Sequence, residues 1–426
     1  MARARRYRKL RTAGDLKRVM TTYYAKLRYL RLGRPVAWIT SGAPVEVLRA
    51  MGIVVAYPEN YGALCGVAGA VPLCQEAEHR GYSRDVCSYA RSHLGSLYNP
   101  DIAPMGGLPK PALLVAGNNI CGTVLKWYQA LQHETGAPLF LVDTPFIHDE
   151  LTDHAVAYVR AQLEALIDWV TEHTGRTLKR HKLAQTVARS NECVRLWTAI
   201  RETCQARPSP LNAPDLFTNM APIVVLRGTQ EAVGFYRKLL AEVRERVARG
   251  EGAVRDERYR LIWDNIAIWP RLFRFFKPFI DAGACFVSDT YTGAWAAPVD
   301  DTGDPMDGLA RAYASVLLNQ SLQYRARDLA SLVERFDADG FVMHSNRSCK
   351  PYSLGQYDIR RLVTAATGVP GLIVEADMCD SRAYAAGPIA TRVAAFLETL
   401  EARAAAWPSW VRPNDRLDTE QLVVRY

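Results

Sequence analysis

Three segments of the chain repeat one pattern of apolar and polar positions. Each has an apolar run, a polar turn, a helix-like run and a second apolar run. The paired apolar runs fall at 36–40 and 53–57, at 113–117 and 139–142, and at 341–343 and 371–374. Short continuous runs of this kind are typical of strands buried on both faces. Their alternation with helical stretches predicts parallel βαβ units.

The rest of the chain is mainly helical in its periodicity. Helix-like spacing covers 74–97, 149–206, 233–247, 307–336 and 388–400, and one further strand is expected at 284–288. We therefore predict an α/β protein with two doubly wound, mostly parallel-sheet domains, a helical insertion and a basic helical N-terminal arm. The expected boundaries are 1–34 for the arm, 35–148 for the first α/β domain, 149–220 for the insertion and 221–426 for the second α/β domain.

Composition agrees with a globular protein of more than one domain. The 426 residues are 49% hydrophobic and 23% charged, which is ordinary for such chains. No apolar run is long enough to span a bilayer, and the N-terminus lacks the apolar stretch of a signal peptide. A cytoplasmic protein is expected. There is no GxxxxGK[ST] phosphate loop, so any ATP hydrolysis would fall to another protein.

The positive charge is concentrated at the N-terminus. Residues 1–34 hold 12 Lys and Arg against the single acid Asp15, whereas the whole chain carries a formal charge of +9. A basic stretch with interleaved tyrosines can contact the phosphates of nucleic acid or membranes. A charge block alone is weak evidence. We therefore favour an arm that packs on its own chain or on a partner subunit, and we do not expect nucleic-acid binding.

Two of the nine cysteines lie in turns of similar context. Cys121 and Cys349 each follow an apolar strand and a polar turn that contains Asn, whereas Cys87 lies within the helix-like stretch 74–97. Ligands of parallel sheets gather outside the carboxyl ends of the strands. In a cytosolic chain, cysteines serve more often as metal ligands or buried filler than as disulfides. A shared metal centre is one interpretation, and three separate buried thiols is the other.

The sequence around these cysteines is similar to the core subunits of 2-hydroxyacyl-CoA dehydratases and ATP-dependent benzoyl-CoA reductases (the 2-hydroxyglutaryl-CoA dehydratase D-component family). The resemblance runs from about Val36 to Leu400, and it is carried by 81–91, 118–128, 263–265, 344–353 and 375–378. It implies one 4Fe–4S cluster per chain, held by the thiolates of Cys87, Cys121 and Cys349. Three ligands on four irons leave one iron open.

The six other cysteines are expected to be structural. Cys193 and Cys204 lie in the helical insertion and Cys285 lies within a strand. Buried cysteines commonly behave as small apolar residues. Whether Cys65, Cys74 or Cys379 assists a cluster is left open by the sequence.

Candidate chemical groups flank the proposed ligands. Ser41 ends the first strand, where it can cap a helix or hold a substrate oxygen. Glu59 is expected to end the second strand, where it can move a proton or form a surface turn. His344 precedes the Cys349 turn and can act as a general acid or simply bond to backbone. Arg347 and Lys350 can stabilise thiolates and cluster, or meet CoA phosphates.

The resemblance implies a radical acyl-CoA enzyme. A separate ATP-hydrolysing activator would supply one electron, and the resulting ketyl radical anion of the thioester would expel the neighbouring hydroxyl as water. We therefore expect a lyase, the iron–sulfur core subunit of a 2-hydroxyacyl-CoA dehydratase. The alternatives are a subunit of a benzoyl-CoA reductase, which is an oxidoreductase, or an electron-relay subunit without a substrate. The expected partner is a second, homologous core subunit.

Overall fold

Two parallel sheets dominate the computed structural model, which describes residues 7–30 and 33–406. The first sheet contains β1 (Val36–Ile39), β2 (Val54–Ala56), β3 (Leu113–Gly117) and β4 (Leu139–Val142). The second contains β5 (Tyr259–Asp264), β6 (Ala284–Asp289), β7 (Gly340–Asn346) and β8 (Gly371–Ala376). Every pairing within both sheets is parallel.

Helices pack around both sheets. In chain order they are α1 (Ala13–Tyr29), α2 (Val45–Ala50), α3 (Pro58–Ala68), α4 (Val71–His79), α5 (Ser88–Tyr98), α6 (Gly122–Thr135), α7 (Asp153–Thr174), α8 (Arg180–Glu202), α9 (Ala213–Asn219), α10 (Ala221–Val225), α11 (Gln230–Ala248), α12 (Leu272–Asp281), α13 (Thr290–Gly293), α14 (Pro305–Ala314), α15 (Leu322–Arg335), α16 (Lys350–Ser353), α17 (Gln356–Thr367) and α18 (Ala386–Ala406). None of these described helices is long and apolar enough to cross a membrane.

The two sheets share one topology. Their strand orders are β2-β1-β3-β4 and β6-β5-β7-β8, so each strand of the first sheet has a counterpart in the second. In each order the chain reverses its direction of travel between the two central strands, and this switch point is where α/β sheets bind ligands. The predicted class, two doubly wound α/β sheets, is confirmed.

The repeated Thr-Gly-x-Pro motif ends a helix in both halves. Gly136 follows α6 and Gly368 follows α17, each with φ of 70°. This left-handed conformation suits glycine because it has no Cβ. The proline two residues later cannot continue the helix, so the chain turns into β4 or β8.

Three expectations about elements are wrong in detail. The helical stretch expected at 74–97 is two helices, and Cys87 lies in the connection between α4 and α5. The stretch at 307–336 is interrupted between α14 and α15. Glu59 does not end a strand, because β2 stops at Ala56 and Pro58 begins α3, a position that favours proline.

The basic arm is docked on its own chain. Arg8 pairs with Glu251 at 3.1 Å, and the Arg11 guanidinium contacts Glu242 and Glu245 on α11. These contacts use part of the positive charge internally, as the favoured interpretation expects. Residues 1–6 and 31–32 of the arm, and 407–426 of the last predicted domain, lie outside the described residues. The predicted domain boundaries stay a prediction.

Candidate active site

A cavity of about 460 Å³ lies against the carboxyl ends of both sheets. Its wall includes Ser41 and Cys121, which follow the central strands β1 and β3, and Ile266 and Cys349, which follow β5 and β7. Both switch points therefore face one space. The volume falls within the range of small-molecule sites, about 300–1,000 Å³.

Five of the eight sequence-predicted site residues line this cavity: Ser41, Glu59, Cys87, Cys121 and Cys349. The three cysteines are also the partly exposed ones, whereas the six others are fully buried. The cavity is thus the place where the predicted ligands meet.

Each predicted ligand stands directly before a helix. Cys87, Cys121 and Cys349 are the residues preceding α5, α6 and α16. The Val124 N–H donates to the Cys121 sulfur at 3.4 Å. The backbone N–H groups of Ala90 and Tyr352 lower the pKa of Cys87 and Cys349, respectively, against the larger effect of burial. Donors aimed at sulfur stabilise a thiolate.

Two buried cysteines elsewhere act as hydrogen-bond donors, whereas the Cys121 sulfur is an acceptor. Cys379 donates to the Gly62 carbonyl at 3.0 Å, and Cys285 donates to the Leu211 carbonyl at 3.4 Å. A thiol that donates to a carbonyl is neutral and is not arranged as a metal ligand. Cys65, Cys74 and Cys379 are fully buried and are not among the residues that line the cavity.

Hydrogen bonds across the halves fix Cys87 beside Cys349. The Ser88 N–H donates to the Ser348 hydroxyl oxygen at 3.1 Å, and the Ser348 hydroxyl donates to Asp377 at 2.5 Å. Both serines are buried. The two cysteine turns, 262 residues apart in sequence, are therefore joined directly.

The turns that carry Ser41 and Cys121 are joined by Asn119. Its side-chain N–H groups donate to the Gly42 carbonyl at 3.0 Å and to the Tyr313 carbonyl at 2.8 Å. A Cβ at Gly42 would come within 2.3 Å of the Asn119 side chain, so this approach requires glycine.

The thiols influence one another. Burial raises the pKa of Cys87, and the neighbouring Cys349 and Cys121 raise it further. Burial, then Glu59, raises the pKa of Cys121 to about 11. The pKa of Cys349 rises to about 12 through burial and Cys121. The thiols are therefore protonated when no cation is present, and metal binding must displace those protons.

The three predicted ligands are not arranged around a single metal ion. Within 7–30 and 33–406, no group of three or more His, Cys, Asp or Glu side chains is placed to hold one metal ion. In a cluster, each thiolate binds a different iron, so its sulfurs need not converge on one point. Three cavity-facing sulfurs with backbone donors suit that arrangement.

Glu59 and Ser41 form a polar pair in the cavity wall. The Ser41 backbone N–H donates to the Glu59 carboxylate. Burial raises the pKa of Glu59, although hydrogen bonds from Ser41 oppose this. A carboxylate with a raised pKa accepts a proton more readily than an ordinary carboxylate does.

The structure does not bring the other three candidates to the cavity wall. His344 is fully buried, its Nδ1 lies 2.7 Å from the Ile266 carbonyl oxygen, and burial lowers its pKa to about 4. Arg347 is exposed and pairs with Asp85 at 3.4 Å. The Lys350 ammonium donates to the Arg347 carbonyl at 3.1 Å.

Sequence reasoning missed a buried ion pair at the same cavity. Arg227 lines the cavity, and its Nε lies 3.0 Å from the Glu46 carboxylate. The sequence did contain a clue to this pair: Glu46 lies between Val45 and Val47 in a short apolar helix. A buried acid in such a helix must find a partner.

Comparison with known proteins identifies the family of this chain. The family described as 2-hydroxyglutaryl-CoA dehydratase, D-component, matches residues 40–400. The chain belongs to this family. Its members include relatives that match nearly the whole length of the chain.

Three relatives illustrate the range of the family. The (R)-2-hydroxyisocaproyl-CoA dehydratase alpha subunit of Clostridioides difficile is 34% identical over 87% of this chain and 91% of its own. The lactoyl-CoA dehydratase subunit alpha of Anaerotignum propionicum is 32% identical over 88% and 92%. A benzoyl-CoA reductase subunit of Thauera aromatica is 27% identical over 77% and 80%.

Proposed function

We propose that this chain is the substrate-binding core subunit of a 2-hydroxyacyl-CoA dehydratase, a lyase. The observation that carries the proposal is the convergence of Cys87, Cys121 and Cys349 with Ser41 and Glu59 on one cavity. Membership of the family supports it, as do relatives named as dehydratase subunits at 34% and 32% identity.

We propose that the three cysteines hold one 4Fe–4S cluster. When bound, the cluster supplies a one-electron carrier with an open iron. The chain supplies the rest of the centre: three thiolates, backbone donors that stabilise them, and an apolar wall that excludes water.

The reaction removes water from the acyl group without net oxidation. The C2–O bond and one C3–H bond break, a C2=C3 double bond forms, and the activating electron is returned. We assign the C3 proton to the Glu59 carboxylate, whose raised pKa suits proton transfer. We assign to the Ser41 hydroxyl a hydrogen bond to the thioester oxygen, where negative charge develops.

We propose positioning and binding roles for His344, Arg347 and Lys350, which do not line the cavity. His344 is neutral near pH 7 and holds the Ile266 segment of the cavity wall through its Nδ1, so we propose a positioning role in place of direct proton transfer. Arg347 and Lys350 are exposed beside the Cys349 turn. There they can meet the phosphates of CoA.

The proposal includes partners. We infer a second homologous core subunit, because relatives are named as alpha subunits, and an ATP-hydrolysing activator in the cytoplasm. A benzoyl-CoA reductase is the second candidate, favoured by the match to a component of that enzyme. A relay subunit is the third, and the substrate-sized cavity argues against it.

The first experiment measures iron and acid-labile sulfide on anaerobically purified protein. We expect about four of each per chain, and loss of most of both in the single variants Cys87→Ala, Cys121→Ala and Cys349→Ala. Cys193→Ala is the control, because Cys193 is fully buried and is not among the residues that line the cavity. Full iron content in all three ligand variants would contradict the cluster assignment.

Activity separates the candidates. With activator and ATP, conversion of a 2-hydroxyacyl-CoA to the enoyl-CoA supports the dehydratase. Reduction of benzoyl-CoA in its place identifies the reductase. An electron paramagnetic resonance spectrum that no acyl-CoA perturbs identifies the relay subunit.

A further inference from the structure

One part of the cavity wall is apolar and lies on helices outside the two sheets. One side of this apolar wall comes from Met220, just before α10, and from Val224 on α10. The other side comes from Ala312 on α14 and from Val316 and Leu318 in the segment after α14. Aromatic rings of Trp127, Trp269 and Trp295 complete the wall. Such a surface binds apolar groups by removing them from water.

Charged side chains are few along this wall. Among the lining residues of the described chain, they are Lys17, Glu59 and Arg227. Lys17 is exposed on α1, and Glu59 belongs to the proposed proton-transfer group. Arg227 is therefore the one buried cation that can decide whether an acidic acyl group is accepted.

Arg227 is already paired. Its Nε donates to the Ser190 hydroxyl oxygen at 2.6 Å and lies 3.0 Å from one Glu46 oxygen. The other Glu46 oxygen accepts the Tyr313 hydroxyl at 2.5 Å. Glu46 is fully buried and Arg227 is 9% exposed, so water does little to screen the two charges from each other.

Both members of the pair are ionised. Burial opposes the charge of Glu46, but Arg227 and the hydrogen bonds from Ser190 and Tyr313 outweigh it, so the pKa of Glu46 is lowered. Burial likewise opposes the charge of Arg227, and Glu46 outweighs it, so the pKa of Arg227 is raised. The pair is neutral as a whole. A second carboxylate entering the buried part of the cavity would meet no uncompensated buried cation, because the other lining cation, Lys17, is exposed. Burying that carboxylate unpaired is costly.

We propose that, within the dehydratase function proposed above, this cavity selects CoA thioesters of 2-hydroxy acids with uncharged, apolar side chains, and that Glu46 sets this selectivity by neutralising Arg227. A 2-hydroxy acid with a second, terminal carboxylate is excluded. Glu46 acts through Arg227 and is a positioning residue, since it is not among the residues that line the cavity.

Binding of unreactive analogues tests the selectivity without turnover. The probes are 4-methylpentanoyl-CoA and glutaryl-CoA, which lack the hydroxyl and differ in the terminal group. Titrated into the anaerobically purified full-length protein with its co-purifying subunit, the apolar analogue should bind at least ~10-fold more tightly, as expected when a carboxylate must be buried unpaired. Equal affinity, or tighter binding of glutaryl-CoA, would overturn the inference.

Turnover distinguishes this inference from the proposed function. Dehydration of 2-hydroxyglutaryl-CoA in preference to 2-hydroxy-4-methylpentanoyl-CoA would contradict the proposed selectivity. The proposed dehydratase function would still hold. Binding of neither analogue, together with no dehydration of either substrate, would overturn both.

A variant tests the part assigned to Glu46. Glu46→Gln keeps the shape of the side chain and leaves Arg227 uncompensated, so the affinity for glutaryl-CoA should rise ~10-fold relative to 4-methylpentanoyl-CoA. The control is Glu192→Gln, because Glu192 pairs with the exposed Arg237 on the surface. Unchanged selectivity in folded Glu46→Gln would refute the role.

A double variant covers the case in which Glu46→Gln does not fold. Glu46→Gln combined with Arg227→Gln removes both charges, so it avoids an isolated buried cation. It should keep the preference for the apolar analogue, with folding checked by thermal melting. A double variant that prefers glutaryl-CoA would show that the pair does not set the selectivity.

Discussion

Glu59 is the residue whose surroundings bear most directly on the chemistry. We expect Glu59→Gln to lower kcat by ~100-fold, the lower range for loss of a proton-transfer group. Iron content and affinity for 4-methylpentanoyl-CoA should hold, because the amide keeps the size of the side chain. The measurement is steady-state dehydration with activator and ATP. Glu398→Gln, on the exposed face of α18, should leave kcat unchanged; an equal loss there would contradict the assignment.

His93 makes the stability of the protein sensitive to acid. It is fully buried among the rings of Trp38, Tyr61 and Trp127, and burial lowers its pKa from 6.5 to about 3. Below pH 6.5, His93 therefore binds a proton in the unfolded chain but stays neutral in the folded chain. Stability is fully present above that pH and falls as the pH drops toward 3.

Substitution by an uncharged ring should remove this dependence. Between pH 6.5 and about pH 5, the free energy of unfolding of the wild type should fall by about 2 kcal/mol more than that of His93→Phe. Urea denaturation at the two pH values measures it. The same change at the exposed His133 should leave the pH dependence as in the wild type, and an identical slope for His93→Phe would refute the argument.

At the scale of elements, Glu242 on α11 binds the backbone of the N-terminal segment. The carboxylate of Glu242 accepts the backbone N–H groups of Arg11 at 2.7 Å and Thr12 at 2.9 Å, and it is 4% exposed. Glu242→Ala should lower the free energy of unfolding by about 2 kcal/mol, because buried donors and Arg246 lose their partner. Urea denaturation measures this loss.

An exposed pair between α1 and α11 is the control. Glu231 contacts Lys26 at 3.1 Å, with both side chains about half exposed. Exposed pairs contribute little, so Glu231→Ala should change stability by less than about 0.5 kcal/mol. Equal effects of the two substitutions would show that burial of Glu242 does not matter.

Elements with continuous apolar runs were predictable from the sequence. The strands expected near 36, 113 and 341 all form. β5 was not predicted, because Arg260 interrupts its apolar run; the structure buries this arginine against Glu257 at 2.7 Å. The pairing of Arg260 with Glu257, which lies in the loop before β5, cannot be read from the periodicity of apolar residues.

The candidate site was predictable only where turns follow strands. The position of Cys121 and Cys349 after strands follows from the repeated pattern. By contrast, the Glu46–Arg227 pair joins α2 to the loop after α10 across 181 residues, so only the folded chain reveals it. The buried position of His344 likewise depends on Ile266 and Trp263, which belong to a different strand and the loop after it.

At the scale of the whole molecule, a buried charge network joins the two halves. The guanidinium of Arg91, from α5, contacts Asp380, which follows β8, at 3.0 Å, and it also contacts Glu78. Arg382 contacts the same two acids. Arg91 and Asp380 are nearly inaccessible to solvent.

Removal of Asp380 should weaken this junction. Asp380→Ala leaves Arg91 buried with less compensation, so the free energy of unfolding should fall by about 3 kcal/mol, as measured by urea denaturation. Asp358→Ala removes an exposed acid near Arg361 and is expected to have almost no effect. A loss at Asp380 as small as that at Asp358 would mean that the network does not hold the halves together.

The hydrogen bonds that join the turns of Cys87 and Cys349 also have a consequence for how the protein loses its metal. Two predicted ligands come from the first half of the chain and one from the second, so no half carries a complete set. Parting of the halves would strand any bound iron on two sulfurs. With the proposed cluster bound, iron loss would then report the opening of the junction, and the loss of the cluster's visible absorbance would follow that opening in time.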